Sequence, residues 1–436
     1  MTKKYWQYIL WSIPVIVLLA VLLYQVPFIN QRLAWRLDNW KAQIKYALAP
    51  PEEEIFIPSN QQSQVGDATL QALTCTSTPT TTLTPTVTST PHPEVTPTIT
   101  STSTPAPTSL PSLALLPGIQ HEYQTWNNCG PANLSMSLSY WGWEGNQHQT
   151  AAYLKPNERD KNVMPYEMAA FVNEETNLEV LVRVGGNLQT LKSFIAAGFP
   201  ILIETGFEDP RPDVKFTGWM GHYEVLNAYD DAEAEFYVQD SYLGPRIAAS
   251  YQDMESRWRA FNYLYIIVYP PEKEADVQRL LGPHIDEVYN YQQAAAKASE
   301  EIYALTGRDK FFAWFNRGTN LVALDDYAGA AAAYDEAFSV YPQLNEDERP
   351  WRMMWYQTGP YWAYYYTGRY YDVLNLATQT IENVSEPAIE ESWYWRALAR
   401  EALGDVSGAI SDLEEAVKLN ENFETGWYHL NRLRGE

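Results

Sequence analysis

The stretch that decides the fold is YQTWNNCGPANLSMSLSYWG, from Tyr123 to Gly142, in which a polar loop runs through one cysteine into a helical pattern. Apolar residues after the cysteine recur at helical spacing. Pro131 suits the first turn of a helix, where its missing N–H is no loss. Cys129 is therefore predicted to begin a helix, whose unpaired N–H groups stabilise a thiolate. We interpret it as a nucleophile whose base comes from a distant part of the chain.

The composition limits the possible functions. A chain of 436 residues is too long for one ordinary core, so two folded domains with connecting material are expected. The formal charge of -24 argues against nucleic acid as a partner, because a phosphate backbone requires a basic surface. Two cysteines, Cys75 and Cys129, cannot form a disulfide framework. The six histidines are scattered without metal-ligand spacing, so neither a metal site nor a cofactor is expected.

Residues 1–48 are predicted to contain a membrane anchor and a juxtamembrane helix. The run from Ile9 to Ile29 is apolar, apart from its prolines and a few polar residues, and is about long enough to cross a hydrocarbon core. No small-residue cleavage site follows it, which favours a retained single transmembrane helix over a signal peptide. Apolar residues such as Trp40 and Ile44 then recur at helical spacing among basic residues. This second helix either lies on the membrane surface or extends into solvent.

Residues 49–112 are predicted to form a disordered stalk. Between Thr74 and Pro111 the sequence consists almost entirely of Thr, Ser and Pro, which cannot bury a core. Such stalks are typical of exported proteins, so we place the folded domains outside the cytoplasm, on a single-pass protein of the cell membrane. Cys75 lies at the start of this region and is interpreted as a solvated bystander.

Residues 113–271 have an α+β pattern, with helices first and strands later. A helix is predicted near residues 166–174, and buried strands at 179–184 and 200–205 flank another helix. Residues 223–229 and 235–240 predict a hairpin. Ser250 and Asp253 predict a helix cap, and residues 263–269 a final strand.

Within this region His222 is the best-placed base, because it opens a predicted strand after a glycine turn. Asp240 ends the next strand and would lie beside His222 across the hairpin, where it could orient the imidazole. Gln124 could hold an oxyanion together with the Cys129 N–H. Each residue alone also has a purely structural interpretation. His222 could be a hydrogen-bonded core histidine, and Asp240 could be a turn residue. Glu224 adds a carboxylate that could raise the His222 pKa.

Taken in order, Gln124, Cys129-Gly130-Pro131-Ala132, Gly221-His222-Tyr223 and Asp240 resemble the papain-like bacteriocin-processing peptidases. These are the double-glycine leader peptidases, family thirty-nine of the cysteine peptidases, and the closer resemblance is to their stand-alone, secreted members. The resemblance implies a papain-like fold with Cys129 as nucleophile and His222 as general base and acid. It also implies that Asp240 orients His222 and that Gln124 lies in the oxyanion hole.

Residues 272–436 are predicted to form an all-α solenoid. The stretch WFNRGTNLVALDDYAGAAAAYDEAFSVYP, from Trp314 to Pro342, resembles a tetratricopeptide repeat. A second copy starts near Trp393, a degenerate copy lies between the two, and Trp427 begins a helix that caps the array. Stacked helix pairs of this kind form a surface suited to peptides or protein partners.

The predicted function is that of a membrane-anchored, extracytoplasmic cysteine peptidase that acts on a peptide or protein substrate. The repeats would bind a protein partner, and the N-terminal helix would bind the membrane. Two alternatives remain open at this level. The papain-like domain could be catalytically silent within a membrane-tethered interaction scaffold, or it could be an acyltransferase or transglutaminase-like enzyme with the same thioester chemistry.

Overall fold

The computed structural model describes residues 40, 41, 44–46, 48, 56–59, 110–208 and 218–436. The predicted anchor, from Ile9 to Ile29, lies outside these residues, as does most of the predicted stalk. Across the portion of the chain that is described, no helix is both long and apolar enough to span a membrane.

One antiparallel sheet forms the centre of the first folded unit. Its seven strands are β1 Leu113–Leu115, β2 Glu179–Arg183, β3 Ile201–Phe207, β4 Met220–Asp230, β5 Glu235–Asp240, β6 Gly244–Ser250 and β7 Tyr265–Tyr269. The spatial order is β2-β7-β3-β4-β5-β6, with β1 paired to β4. In the register of β3 with β4, Thr205 lies opposite His222 and Gly206 opposite Gly221. Strand β4, which carries His222, therefore lies in the middle of the sheet, between β3 and β5.

Helices cover both faces of the sheet. They are α1 Cys129–Tyr140, α2 Gln147–Leu154, α3 Pro165–Glu175, α4 Leu188–Ala196 and α5 Tyr251–Arg259. Helices α1 and α3 pack on the face that carries Leu202, Val225 and Ile266. Helices α4 and α5 pack on the opposite face. Because both faces are covered, β3 and β7 are buried along their whole lengths, and this explains their nearly continuous apolar sequences.

Most of the elements predicted for this unit are present. The helix after Cys129, the hairpin of β4 and β5, and the cap at Ser250 are confirmed, and the Ser250 hydroxyl accepts from the Asp253 N–H at 3.1 Å. The sequence patterns missed β1, β6 and α2. Strand β6 begins with Gly-Pro, a turn signal, and α2 has only Leu154 and small residues on its apolar side.

The second unit is helical. Its helices are α6 Glu274–Leu281, α7 Glu287–Ala304, α8 Gly307–Ala323, α9 Tyr327–Val340, α10 Met353–Tyr356, α11 Gly359–Tyr366, α12 Tyr370–Asn383, α13 Glu390–Ala402, α14 Val406–Leu419 and α15 Glu424–Arg434. Three successive hairpins, α8–α9, α11–α12 and α13–α14, are followed by α15. Small residues at the hairpin contacts, such as Ala330 and Ala409, are fully buried and allow close helix approach. The helical prediction for this region is confirmed.

The two units share a hydrophobic core. Trp219, just before β4, stacks on Phe261 with centroids 5.7 Å apart and also contacts Phe312 of α8. The buried side-chain amides of Asn262 and Asn320 exchange hydrogen bonds of 2.7 and 3.1 Å. Because apolar and polar contacts both cross the boundary, the helical unit is packed rigidly against the sheet unit.

The described part of the N-terminal region lies on the helical unit. Residues 40, 41, 44–46 and 48 are helical, and the Lys45 ammonium donates to the Val384 carbonyl at 2.7 Å. Residues 56–59 lie within the predicted stalk, yet Phe56 is only 7% exposed in the helical core. These four residues are an exception to the predicted disorder, because IFIP supplies apolar side chains that the Thr/Ser/Pro-rich part lacks.

Candidate active site

Cys129 is the first residue of α1, as the sequence predicts, and it is half-buried. The turn that carries it is fixed by the buried amide of Asn133. That amide donates to the Cys129 carbonyl at 2.9 Å, to the Tyr223 carbonyl at 2.7 Å and to the Ser241 hydroxyl at 2.8 Å. One side chain therefore holds the start of α1 against β4 and the end of β5.

His222 and Asp240 are brought together across the β4–β5 hairpin. His222 Nε2 lies 3.0 Å from Asp240 Oδ1, and both side chains are buried. The backbone N–H groups of Tyr242 and Leu243 donate to the same oxygen at 2.7 and 2.9 Å. The carboxylate is thus fixed from two directions, so it can hold the imidazole in one orientation.

Cys129 and His222 influence each other's ionisation, and their pKa values move in opposite directions. Burial opposes ionisation of the thiol, but the neighbouring His222 outweighs it, and the pKa of Cys129 is lowered. Burial also opposes protonation of His222, but Asp240, together with Cys129, raises the His222 pKa well above its usual value. Both shifts favour a thiolate and an imidazolium.

The fourth predicted residue, Gln124, lies beside Ser241, the residue that follows Asp240. Its N–H donates to the Ser241 carbonyl at 2.8 Å, and its side-chain Oε1 accepts from the Ser241 hydroxyl at 2.7 Å. With Oε1 used in this way, the Nε2 end of the amide is the end that can donate to a substrate oxyanion. The Ser241 hydroxyl also accepts from the Asn133 amide on α1. It therefore connects the start of α1 to the Gln124 side chain.

Ser241 is therefore expected to position the oxyanion donor without touching substrate. Ser241→Ala should lower kcat for peptide hydrolysis by roughly 10-fold and leave KM nearly unchanged, because the Gln124 amide loses the contact that orients it. Steady-state kinetics on the full-length protein measure both constants. Ser241→Thr retains the hydroxyl and should restore most of kcat. A change in KM alone, or no rescue by threonine, would contradict this role.

Glu224, two residues after His222, does not face the imidazole as an unpaired charge. Its Oε1 accepts from Arg257 Nη1 at 2.7 Å, and this arginine extends from α5. Within the described ranges, the residues that could ligate a metal ion form a single group, His222, Glu224 and Asp240, with ligand atoms within 4.8 Å of one another. Two of its members are already engaged with each other and the third with Arg257, so the group fits an ion-paired network better than a metal centre.

Three residues near the site were not found from the sequence. The Lys155 side chain is buried against the residues that precede α1. Its positive charge contributes to the lowered pKa of Cys129. Glu204 on β3 is buried, and burial together with the charge of Cys129 raises its pKa well above its usual value. The ring of Tyr356, from α10 of the helical unit, lies against Gly221.

Tyr356 brings the helical unit next to the residue that precedes His222. A Cβ built on Gly221 would lie 2.9 Å from Tyr356 Cδ1 and 2.7 Å from Phe261 Cζ, so only glycine permits this approach beside His222. Neighbouring contacts secure the same segment, because Arg352 donates to the Trp219 carbonyl and Gln357 to the Ala260 carbonyl, each at 2.8 Å. Sequence patterns within either unit carry no signal for a contact between residues 135 positions apart.

Two segments of the chain match known protein families. Residues 117–266 match the model of the family described as Peptidase_C39 like, and residues 390–423 match the tetratricopeptide repeat. The resemblance inferred from the sequence is thus confirmed over these two segments. The first folded unit is a C39-like peptidase domain, and it is joined to a domain of tetratricopeptide-repeat helices.

Among solved structures, a C39-like peptidase from Bacillus anthracis is 18% identical, with a TM-score of 0.29, over 36% of this chain and 96% of its own. The MamA RS-1 ArsTM double mutant is 18% identical, and MamA 41-end from Desulfovibrio magneticus RS-1 is 17% identical. Each of these two has a TM-score of 0.29 and covers 36% of this chain and 82% of its own. Similarity at this level supports no functional conclusion. No curated protein matches the chain.

Proposed function

We propose that this protein is a cysteine peptidase of papain-like fold that hydrolyses peptide bonds through Cys129, His222 and Asp240. The observation that carries the proposal is the 3.0 Å contact between His222 Nε2 and Asp240 Oδ1, together with Cys129 as the first residue of α1. The lowered pKa of Cys129 and the raised pKa of His222 agree with it. In a cysteine peptidase the reactive species is the thiolate paired with an imidazolium.

In the proposed mechanism the Cys129 thiolate attacks the substrate carbonyl carbon and forms a tetrahedral oxyanion. The Cys129 N–H, at the start of α1, and the Gln124 amide stabilise this oxyanion. His222 then gives its proton to the leaving amine, and the C–N bond breaks to leave a thioester. Water, activated by His222, hydrolyses the thioester and regenerates the pair.

The proposal also concerns where in the cell the folded domains lie. The apolar run from Ile9 to Ile29 supports a single-pass anchor in the cell membrane, and the Thr/Ser/Pro-rich stretch after Thr74 supports an extracytoplasmic location. The repeats are proposed to bind a protein or peptide partner. Support for their involvement in substrate binding comes from Tyr356, because this residue of the helical unit lies against Gly221, directly before His222.

The direct test is to incubate the full-length protein, held in detergent, with a peptide library and to identify the products by mass spectrometry. Hydrolysis products are expected, and iodoacetamide should modify Cys129 far faster than Cys75. Equal labelling rates would contradict an activated thiolate. Added amine nucleophiles distinguish hydrolysis from acyl transfer. Partner binding without any turnover would favour the catalytically silent scaffold.

The pH dependence of kcat/KM is expected to be bell-shaped and wide. Activity rises as the thiol ionises, below the ordinary thiol pKa of about 8.5, because the pKa of Cys129 is lowered. It falls only when His222 loses its proton, above the ordinary imidazole pKa of about 6.5, because the His222 pKa is raised. Rates measured from about pH 4 to 10 at constant ionic strength give the two apparent values of the coupled pair. An acid limb near pH 8.5 would show that no ion pair forms.

A further inference from the structure

Residues 56–59 occupy a seam between two hairpins of the helical unit, α8–α9 and α11–α12. We call this site the seam and define it by Phe311, Phe315, Phe338, Tyr364, Arg369 and Asp372. The segment has no strand partner and lies 313 positions from Asp372 in the chain. It therefore binds the seam as a separate peptide would, through its side chains and the Ser59 N–H.

The first anchor of the segment is Phe56. Its ring packs edge-on against Phe338, with centroids 5.0 Å apart, and contacts Tyr364 at 6.2 Å. The ring is 7% exposed, and a cavity of only about 60 Å³ remains around it. Pro58, which lies between the two anchors, is also buried, and its ring fixes φ at that position. An aromatic side chain followed by proline thus fits the apolar half of the seam.

The second anchor is Ser59, which meets a buried carboxylate. Its N–H donates to Asp372 Oδ1 at 3.0 Å, and its hydroxyl donates to Oδ2 at 2.7 Å. Arg369 Nε donates to the same Oδ2 at 2.7 Å and pairs with Asp335 through both terminal nitrogens at 2.8 and 2.9 Å. Because the Asp372 carboxylate accepts both hydrogen bonds, the polar half of the seam favours a ligand residue that offers a backbone N–H and a hydroxyl.

The two halves of the seam are connected. The Tyr364 hydroxyl donates to Asp335 at 3.0 Å, and the Arg369 guanidinium lies 4.1 Å from the Tyr364 ring centroid. The ring that contacts Phe56 thus belongs to the network that receives Ser59. Beside Ile57, an open groove of about 800 Å³ continues along α12 and leaves room for a longer peptide.

We propose that the seam is a peptide-binding site whose ligand is a segment with an aromatic residue, a proline two positions later and a serine or threonine directly after that proline. Residues 56–59 are its cis ligand. A partner peptide of this pattern binds in trans when the cis segment leaves. Because the cis segment is tethered, it competes at an effective concentration in the millimolar range. The proposal does not depend on peptidase activity.

The test uses a fluorescent peptide of residues 54–62, EIFIPSNQQ, and the full-length protein in detergent. Fluorescence anisotropy should detect weak binding to the wild type. The double variant Phe56→Ala, Ser59→Ala should bind at least ~10-fold more tightly, because the tethered competitor no longer fits. Adding Asp372→Asn to this variant should abolish the gain. A peptide with alanine at both anchor positions is the matched ligand control.

Ile57→Ala is the matched protein control, because Ile57 is 44% exposed and supplies neither anchor. It should bind the probe as weakly as the wild type does. Equal binding by the wild type and the double variant, or a gain that survives Asp372→Asn, would overturn the proposal. If circular dichroism shows that the double variant has lost helix, Ser59→Ala alone is used, since it keeps the Phe56 packing. No tighter probe binding by that variant would also overturn it.

Discussion

Cys129→Ala is expected to lower kcat/KM for peptide hydrolysis by roughly 10⁴-fold or more, because removal of a nucleophile leaves only binding and oxyanion stabilisation. Within the ranges that the structure describes, no second thiol could replace the thiolate that His222 and the start of α1 stabilise. Initial rates with a peptide identified from the library measure the loss.

The matched control is Cys75→Ala, which removes the other thiol and should leave kcat/KM unchanged. Substrate binding to the Cys129→Ala protein, followed by anisotropy, should persist because the alanine retains the backbone N–H at residue 129. Residual turnover within ~10-fold of the wild type would show that the chemistry occurs elsewhere.

Asp240→Asn is expected to lower kcat/KM by roughly 10³-fold near neutral pH. The amide can still accept from Tyr242 and Leu243, so the local geometry is retained while the negative charge is lost. Asp240 raises the His222 pKa, and its loss lowers that pKa. The imidazolium then supports the thiolate less well, so the pKa of Cys129 rises. The pH range in which the variant is active should therefore be narrower at both its acid and its alkaline limit.

The control for this substitution is Asp253→Asn, which also removes a carboxylate from the region. Asp253 pairs with Arg257 on the solvent side of α5 and is 56% exposed, so its charge is screened. Its pH profile should match that of the wild type. If Asp240→Asn lowers the rate equally at every pH, Asp240 has a structural role and does not act through the charge of His222.

The sequence predicted those parts of the site that depend on local signals. Cys129 begins a helix because Gly-Pro follows it, and His222 and Asp240 face each other because two short strands flank the turn at Asp230 and Asp231. These features follow from turn chemistry and from the two-residue period of a strand. The helical array was predictable for the same reason, since its repeats are local units.

The remainder depends on contacts between distant residues. Tyr356 reaches Gly221 only because the core around Trp219 and Phe261 fixes the two domains against each other. The effect of Glu224 on His222 could not be judged without knowing that Arg257 pairs with it. Phe56 is surrounded by residues of low complexity, and its burial depends on a seam made by hairpins hundreds of residues away.

The docked N-terminal segment also changes what the Thr/Ser/Pro-rich stretch connects. Ser59 is held by Asp372 before that stretch, and the Ser112 carbonyl accepts from the Asp231 N–H at 2.8 Å after it. The described residues on either side of the stretch, Ser59 and Ser112, are thus both attached to the same folded body. On the proposed anchor, at most about 40 Å of chain separates Ile29 from the docked helix that includes Trp40. The peptidase would then work close to the bilayer, on substrates that reach the membrane surface.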